Sequence, residues 1–401
     1  MEKIVLAFSG GLDTSFCTKY LSEDKGFEVH TVIVNTGGFS EPELQAIEKK
    51  AYEFGATTHV VIDAREKYYQ NCIRYLIYGN VLRNRNYPLS VSSERSFQAM
   101  EVIQYAKNKG ILYIAHGSTG AGNDQVRFES LARILSPEHT LLAPIRELSI
   151  SREEEIKYIE KKGLQYIAEK AKYSINKGLW GTSVGGSETL TSDRELPEEA
   201  YLDQLKMSGT RMINLEFEKG EPVSLEGKEY PDRVELIREL EKIASPWAIG
   251  RDVHVGETII GIKGRVGFQA AAASIIIDAH YHLEKHVLSK WQQTWKEQLG
   301  NWYGMFVHEA QFLDPVMRDI ETFLESTQRY VTGKVNIRLR PYHYNITGIS
   351  SPHDLMSSRF AKYGEENLSW SGEDVKGFTN IISNAQRIFY QVNQEENKKV
   401  L

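Results

Sequence analysis

The sequence predicts an α/β fold: a doubly wound parallel sheet, an α+β domain, and a C-terminal helix. Three observations carry this expectation. Short apolar runs alternate with helical patterns through the first 165 residues, the signature of a parallel sheet with crossover helices. Three Gly-rich turns follow three of these runs, Ser9–Gly11, Asn35–Gly38 and Gly117–Asp124. In such sheets all three turns share the carboxyl edge, where ligands bind. Beyond about residue 165 the regular alternation ends, and hairpins mix with amphipathic helices.

The elements follow in order. Ile4-Val5-Leu6-Ala7-Phe8 is short and wholly apolar, as a strand buried on both faces should be. Ser9-Gly10-Gly11 interrupts it, and a helix resumes through Phe16 and Tyr20. Strand, glycine loop and helix N-terminus together form a phosphate cradle, because free N–H groups and the helix dipole point at the anion. It is not a Walker loop, since no Gly-Lys-Ser/Thr follows. Glu28–Val34 is a second strand, and Glu43–Phe54 a helix with Leu44, Ile47, Ala51 and Phe54 on one face and Gly55 as its stop. His59–Ile62 is a third strand. Tyr68–Tyr87 is a polar-aromatic stretch without a clear period. Ser93–Lys109 is helical and stops at Gly110, Ile111–Ala115 is the fourth strand, and Leu141–Pro144 closes the sheet. Ser151 with Glu154 forms a capping box for a helix to Lys162.

Tyr173–Asp193 is rich in Ser, Thr and Gly, and reads as a flexible linker, with a functional loop as the alternative. Arg211–Glu218 and Pro222–Leu225 form a hairpin; Asp232–Ile243 is a helix capped by Asp232; Thr258–Ile262 is a strand. Ala270–Ser289 and Asp314–Ser326 are helices, and Val335–Arg340 alternates as a half-exposed strand does. Asp374–Val392 carries Ile381, Ile382, Ala385, Ile388, Phe389 and Val392 on one stripe, for its own domain or a neighbouring subunit. The expected domains are 1–165, 166–372 and 373–401.

Composition narrows the function. With 41% hydrophobic and 25% charged residues the chain is a soluble globular protein, and a net charge of −6 offers no basic field for nucleic acid. No apolar run approaches the roughly 20 residues of a membrane span. Two cysteines, Cys17 and Cys72, are too few for a disulfide framework and fit a reducing cytoplasm; Cys17 reads as packed core. His280, His282 and His286 lack a metal-site signature and read as packing or surface residues.

The Ser-Gly-Gly-x-Asp-x-Ser of Ser9–Ser15 resembles the pyrophosphate loop of enzymes that cleave ATP to AMP and pyrophosphate. Together with HGSTGAGNDQVRFE at His116–Glu129 it is similar to the argininosuccinate synthase family. Further matches are Tyr87, Ser92 to Arg95, Ala143-Pro144, Tyr173-Ser174-Ile175, Leu179-Trp180 and Ile249-Gly250-Arg251. The resemblance implies a ligase that joins citrulline and aspartate, using ATP as substrate and Mg2+, through a citrullyl-adenylate, in a cytoplasmic homotetramer. It also implies roles by position. Ala7, Phe8, Ser9, Gly10, Gly11, Leu12, Asp13, Thr14, Ser15, Val34 and the stretch His116, Gly117 to Gly122 would line ATP. Thr119, Asn123 and Asp124 would hold aspartate. Tyr87, Ser92, Asn123, Arg127, Ser174 and Ser183 would hold citrulline. Ser9, Asp13, Asp124 and Arg95 would serve catalysis, with Arg95 and Arg127 as substrate contacts or as structural ion pairs.

The chain departs from the family pattern at Val91, at Glu94-Arg95-Ser96, and at Gly256 and Phe268, where an acidic residue and a tyrosine normally meet citrulline. Either Glu257 takes the acidic role after a one-residue shift, or the substrate is an Nα-acylated citrulline. The remaining alternatives are another pyrophosphate-loop adenylating enzyme, such as a tRNA-modifying thiolase, and a nucleotide-sensing protein that has lost catalysis.

Overall fold

A computed structural model describes residues 1–120, 122–164, 173–357 and 369–393. The first motif sits where the sequence places it. Strand β1 (Lys3–Ala7) leads through the glycine loop into α1 (Leu12–Lys19), followed by a π-helical turn over Tyr20–Asp24. Then come β2 (Glu28–Asn35), α2 (Glu41–Glu53) and β3 (Thr58–Asp63). The polar-aromatic stretch is helical: α3 (Arg65–Tyr68), a π turn (Tyr69–Ile73) and α4 (Arg74–Tyr78) bury Tyr68, Tyr69, Cys72, Ile73, Leu76, Ile77 and Tyr78. Its tyrosines are core rather than surface, which hid the helical period. After α5 (Ser90–Lys109) come β4 (Tyr113–Ala115), α6 (Asp124–Leu135), β5 (Thr140–Leu142), α7 (Pro144–Leu148) and α8 (Arg152–Lys161). Helix α8 opens with the Ser151–Glu154 capping box.

The five strands are parallel in the order β3-β2-β1-β4-β5. The chain winds outward one way from β1, then crosses back to β4. The switch point therefore lies between β1 and β4, and their carboxyl ends release the two long motifs into one crevice. Ile4, Val5 and Leu6 are fully buried between helices on both faces.

Two further sheets follow. The stretch expected as a linker is instead a hairpin, β6 (Ser174–Gly178) with β7 (Gly181–Gly185), whose β7 pairs with residues 267–269 in a four-stranded sheet. Its small residues are there because space is short. A Cβ on Gly181 would stand 2.7 Å from Ala270 Cβ and 3.0 Å from Ser90 Cβ. The hairpin β8 (Arg211–Glu218) with β9 (Glu221–Leu225) forms as expected, continued by β10 (Lys228–Glu229). Helix α9 (Arg233–Ala244) starts at Asp232, whose side chain accepts the Val234 N–H at 2.8 Å.

Thr258–Ile262 is not a strand. It is the tip between β11 (Arg251–Glu257) and β12 (Lys263–Gln269), with Gly261 at φ +82° and Ile260 and Ile262 exposed. The apolar letters mimicked a strand, but the glycine with positive φ turns the chain. Helices α10 (Ala271–Val287), α11 (Lys290–His308) and α12 (Val316–Thr327) follow. Sequence reading missed α11 because its inward face is small and its outward face aromatic. Gly300 and Gly304 pack on Gly79 and Val81, while Trp291, Trp295 and Trp302 are exposed. Strands β13 (Gly333–Arg340) and β14 (His343–Ser350) complete the sheet β10-β9-β8-β13-β14.

The chain forms two compact units, residues 1–353 and 354–401. In the second, the expected helix is two, α13 (Gly372–Ile382) and α14 (Asn384–Val392), parted at Ser383. Val375, Phe378, Ile381, Ile382, Ile388, Phe389 and Val392 are all exposed. His280 is a packed core histidine between Asn80 and Gln328, and His282 meets Asp278. Cys17 is buried, and burial first, then nearby carboxylates, hold its thiol well above the usual range. No helix among the described residues is long and apolar enough to cross a membrane.

Candidate active site

The glycine loop leaves β1 at Ala7. Phe8 is buried edge-on to His59, and Leu12 is in the core. Gly10 has φ +74°, a conformation that a side chain would strain, and a Cβ there would stand 3.0 Å from Ile47. Gly11 caps α1. Its carbonyl accepts the hydroxyls of Thr14 (3.3 Å) and Ser15 (2.7 Å), and its N–H reaches Ser9 Oγ at 3.4 Å. These internal bonds brace the loop against the first turn of α1. The Lys50 ammonium donates to the Gly10 carbonyl at 2.7 Å. Val34 is buried at the end of β2, one strand away.

Asp13 lies in the first turn of α1. Burial raises its pKa, and Arg152 partly opposes that. Glu155 of α8, buried to 2% exposure with Oε2 unpartnered, is pushed to about 7 by burial and then by the Asp13 charge. Sequence reading saw only the capping box beside it.

The second motif closes on the first. A Cβ on Gly117 would stand 3.1 Å from Thr14 Cγ2 and 3.3 Å from the Asp13 backbone, tighter than ordinary packing, so the two loops meet closely at this glycine. His116 is buried and its Nε2 lies 3.2 Å from Glu129, which also binds Arg146 at 2.6 Å. Those hydrogen bonds, first from His116, hold Glu129 down at about 2. Thr119 and Gly122 are exposed at the crevice mouth, and Ala121 lies outside the described residues.

Asp124 opens α6 between two guanidinium groups. Arg95 Nε donates to one carboxylate oxygen at 3.0 Å and Arg127 Nη1 to the other at 2.8 Å. Burial pushes the Asp124 pKa up, but Arg95 and then Arg127 more than offset it, leaving the group below the usual value. The other Arg127 nitrogens reach the His308 carbonyl at 3.2 and 3.1 Å, tying α6 to the end of α11. Asn123 Oδ1 accepts the Ile259 N–H at 2.9 Å, tying the same motif to the β11–β12 tip. Neither His308 nor Ile259 had any sequence signal, because each acts through its backbone.

Arg95 also stands 3.6 Å from Glu94, whose carboxylate accepts the Thr36 hydroxyl at 2.8 Å. Burial pushes Glu94 to about 7. Gly178 packs directly on it, so Glu94 joins α5, the β2 turn and the β6–β7 hairpin.

Tyr87 and Ser92 come together through hydroxyls 3.4 Å apart, both buried. The Tyr87 ring stacks on His254 at 4.8 Å and meets Phe268 at 5.2 Å. Phe268 pairs across the sheet with Ser183, so Ser183 belongs to this wall. Ser174 is exposed and pairs with Gly185 further along the hairpin. Glu257 is not brought to the wall. Along β11, His254 and Gly256 face inward, while Glu257 is two-thirds exposed and paired with Lys263 at 3.2 Å.

Residues 3–165 match the family profile described as arginosuccinate synthase N-terminal HUP domain, and residues 173–389 that of the arginosuccinate synthase C-terminal domain. Similar proteins named argininosuccinate synthase include that of Methanocaldococcus jannaschii, 36% identical over 92% of this chain and 93% of the relative. That of Dictyoglomus turgidum is 38% identical over 95% and 96%, and that of Xanthomonas campestris 35% identical over 98% and 99%. With both halves matched and the two loops of the crevice joined, the chain belongs to the argininosuccinate synthase family, whose members are ligases.

Proposed function

We propose that this enzyme joins a citrulline ureido group to L-aspartate at the expense of ATP, with residues 1–165 binding nucleotide and 166–372 completing the substrate walls. The observation that carries this reading is the contact of Gly117 with the first turn of α1, which puts the glycine loop and the Asp124 clamp in one crevice. The ureido oxygen attacks the α-phosphorus, the bond to the β-phosphate oxygen breaks, and pyrophosphate leaves. The aspartate α-amino group then attacks the activated ureido carbon, and AMP leaves with the former ureido oxygen.

The chain's own groups do the positioning. The Gly10 N–H and the Ser9 hydroxyl face the leaving pyrophosphate, with the α1 dipole behind them. Arg95 and Arg127 offer donors to substrate carboxylates in the planar geometry that suits them. Thr119, Asn123 and Asp124 receive aspartate; Tyr87, Ser92, Arg127, Ser174 and Ser183 receive citrulline. No three His, Cys, Asp or Glu residues gather to hold a metal among the described residues. That donor set fits a magnesium ion carried by the nucleotide phosphates with Asp13 alone or through water. Bound there, magnesium neutralises the departing charge. Protein positioning then supplies most of the rate. We further propose a cytoplasmic tetramer assembled through residues 373–401.

The test is pyrophosphate release from ATP and magnesium, with the ureido substrate and aspartate added singly and together. Release that needs the ureido substrate, and ligated product only when aspartate is also present, is expected. Release with neither substrate, or ATP binding without release, would replace the ligase with a hydrolase or a nucleotide-binding protein.

A further inference from the structure

This inference rests on the ligase reading and concerns the far end of the ureido substrate. The ureido oxygen must reach the glycine loop. On that reading the amino-acid end lies by Tyr87, whose ring meets His254 and Phe268. Tyr87, Ser92 and Ser183 are each less than a tenth exposed, so a substrate held by them loses water there. Any charge it carries must be answered by the protein.

Among the described residues, each carboxylate near this wall already has a partner. Asp124 is held by Arg95 and Arg127. Glu309 is held by Arg83 at 3.0 Å and by His308 at 3.1 Å. Asp252 accepts from Asn86 and from the Val253 N–H, and Glu257 faces outward to Lys263. Gly256 faces the wall without a side chain, and its place is taken, since a Cβ there would stand 2.7 Å from His254 Nε2. An α-ammonium group would meet Arg83 and Arg127 with no free anion beside it.

What the wall does have is unused hydrogen-bonding capacity. Arg83 Nε and His254 Nδ1 are buried and without a partner. Burial and then Arg83 push the His254 pKa down to about 4, so the ring is neutral at pH 7 and its Nδ1 can carry the proton. Arg83 Nε can only donate. A carbonyl oxygen satisfies Arg83 Nε and an ammonium group cannot, and His254 adds a second donor in its Nδ1–H tautomer.

We propose that the substrate of this wall is a citrulline whose α-nitrogen is acylated, held through the amide oxygen by Arg83 and His254. The acyl group is untouched by the ligation, so the product is an Nα-acylated argininosuccinate. An amide hydrolase must act later to free the amino acid.

The experiment compares kcat/KM for L-citrulline, Nα-acetyl-L-citrulline and Nα-succinyl-L-citrulline, reading pyrophosphate release with ATP, magnesium and aspartate. An acylated form at least about tenfold better than free citrulline is expected from recovering buried hydrogen bonds. Equal or better turnover of free citrulline overturns this proposal and leaves the ligase intact. No turnover with any of the three overturns both. His254→Phe keeps the ring against Tyr87 and removes the nitrogen. It is expected to raise KM for the acylated substrate about fivefold, with KM for ATP unchanged. No change, or an equal loss with free citrulline, overturns the role of His254.

Discussion

Asp124, Arg95 and Arg127 form an ion triad in which no member is spare. Arg127 is the most constrained, 3% exposed and bonded to both Asp124 and the His308 carbonyl. Lysine cannot serve both partners with fixed planar geometry. Arg127→Lys is expected to lower kcat/KM for the ureido substrate about a hundredfold, about 2.7 kcal/mol, checked by steady-state kinetics. Glu155 gives a pH test. Its folded pKa of about 7 lies above the ordinary 4.5, so the folded state binds the extra proton between these values. Its stability contribution is complete below 4.5 and is lost as pH rises through 7. Glu155→Gln should therefore melt a few degrees above the parent at pH 8 and level with it at pH 4.5, by calorimetry. Motif letters made Asp124, Arg95 and Arg127 legible as a group. Glu155, His254 and His308 were not, because burial and a fold-made neighbour define them, and single letters carry neither.

At the scale of elements, the crevice depends on loops touching at a glycine. Gly117→Val would press a branched side chain onto Thr14 and the Asp13 backbone and part the two nucleotide loops. KM for ATP is expected to rise at least about tenfold with little loss of helix content, since the sheet beneath is unaffected. An unchanged KM would mean that the loops work apart. The parallel sheet was legible almost strand by strand, because buried strands and glycine turns write themselves into composition. The β6–β7 hairpin and α11 were not. Both use small residues at close contacts, Gly181 on Ala270 and Gly300 on Gly79, and a small-residue face resembles a linker or nothing at all. Thr258–Ile262 erred the other way, since its isoleucines lie exposed at a turn.

For the whole molecule, α13 and α14 carry apolar side chains with no buried residue on either helix. Exposed apolar surface of this kind marks an association site. Removing residues 373–401 is expected to lower the particle mass seen by light scattering, and an unchanged mass would refute their role in assembly. The substrate walls show a different kind of dependence. Asn123 waits for Ile259, Tyr87 for His254 and Phe268, and Arg127 for the carbonyl of His308, nearly two hundred residues later. A growing chain has made every strand of the parallel sheet by residue 142, while residues 1–353 form one compact unit. It cannot seat Arg127 until residue 308 has followed. On the proposed assignment the half-made chain has the glycine loop without the walls that present a second reactant, so a chain ended near residue 165 is expected to release no pyrophosphate from ATP.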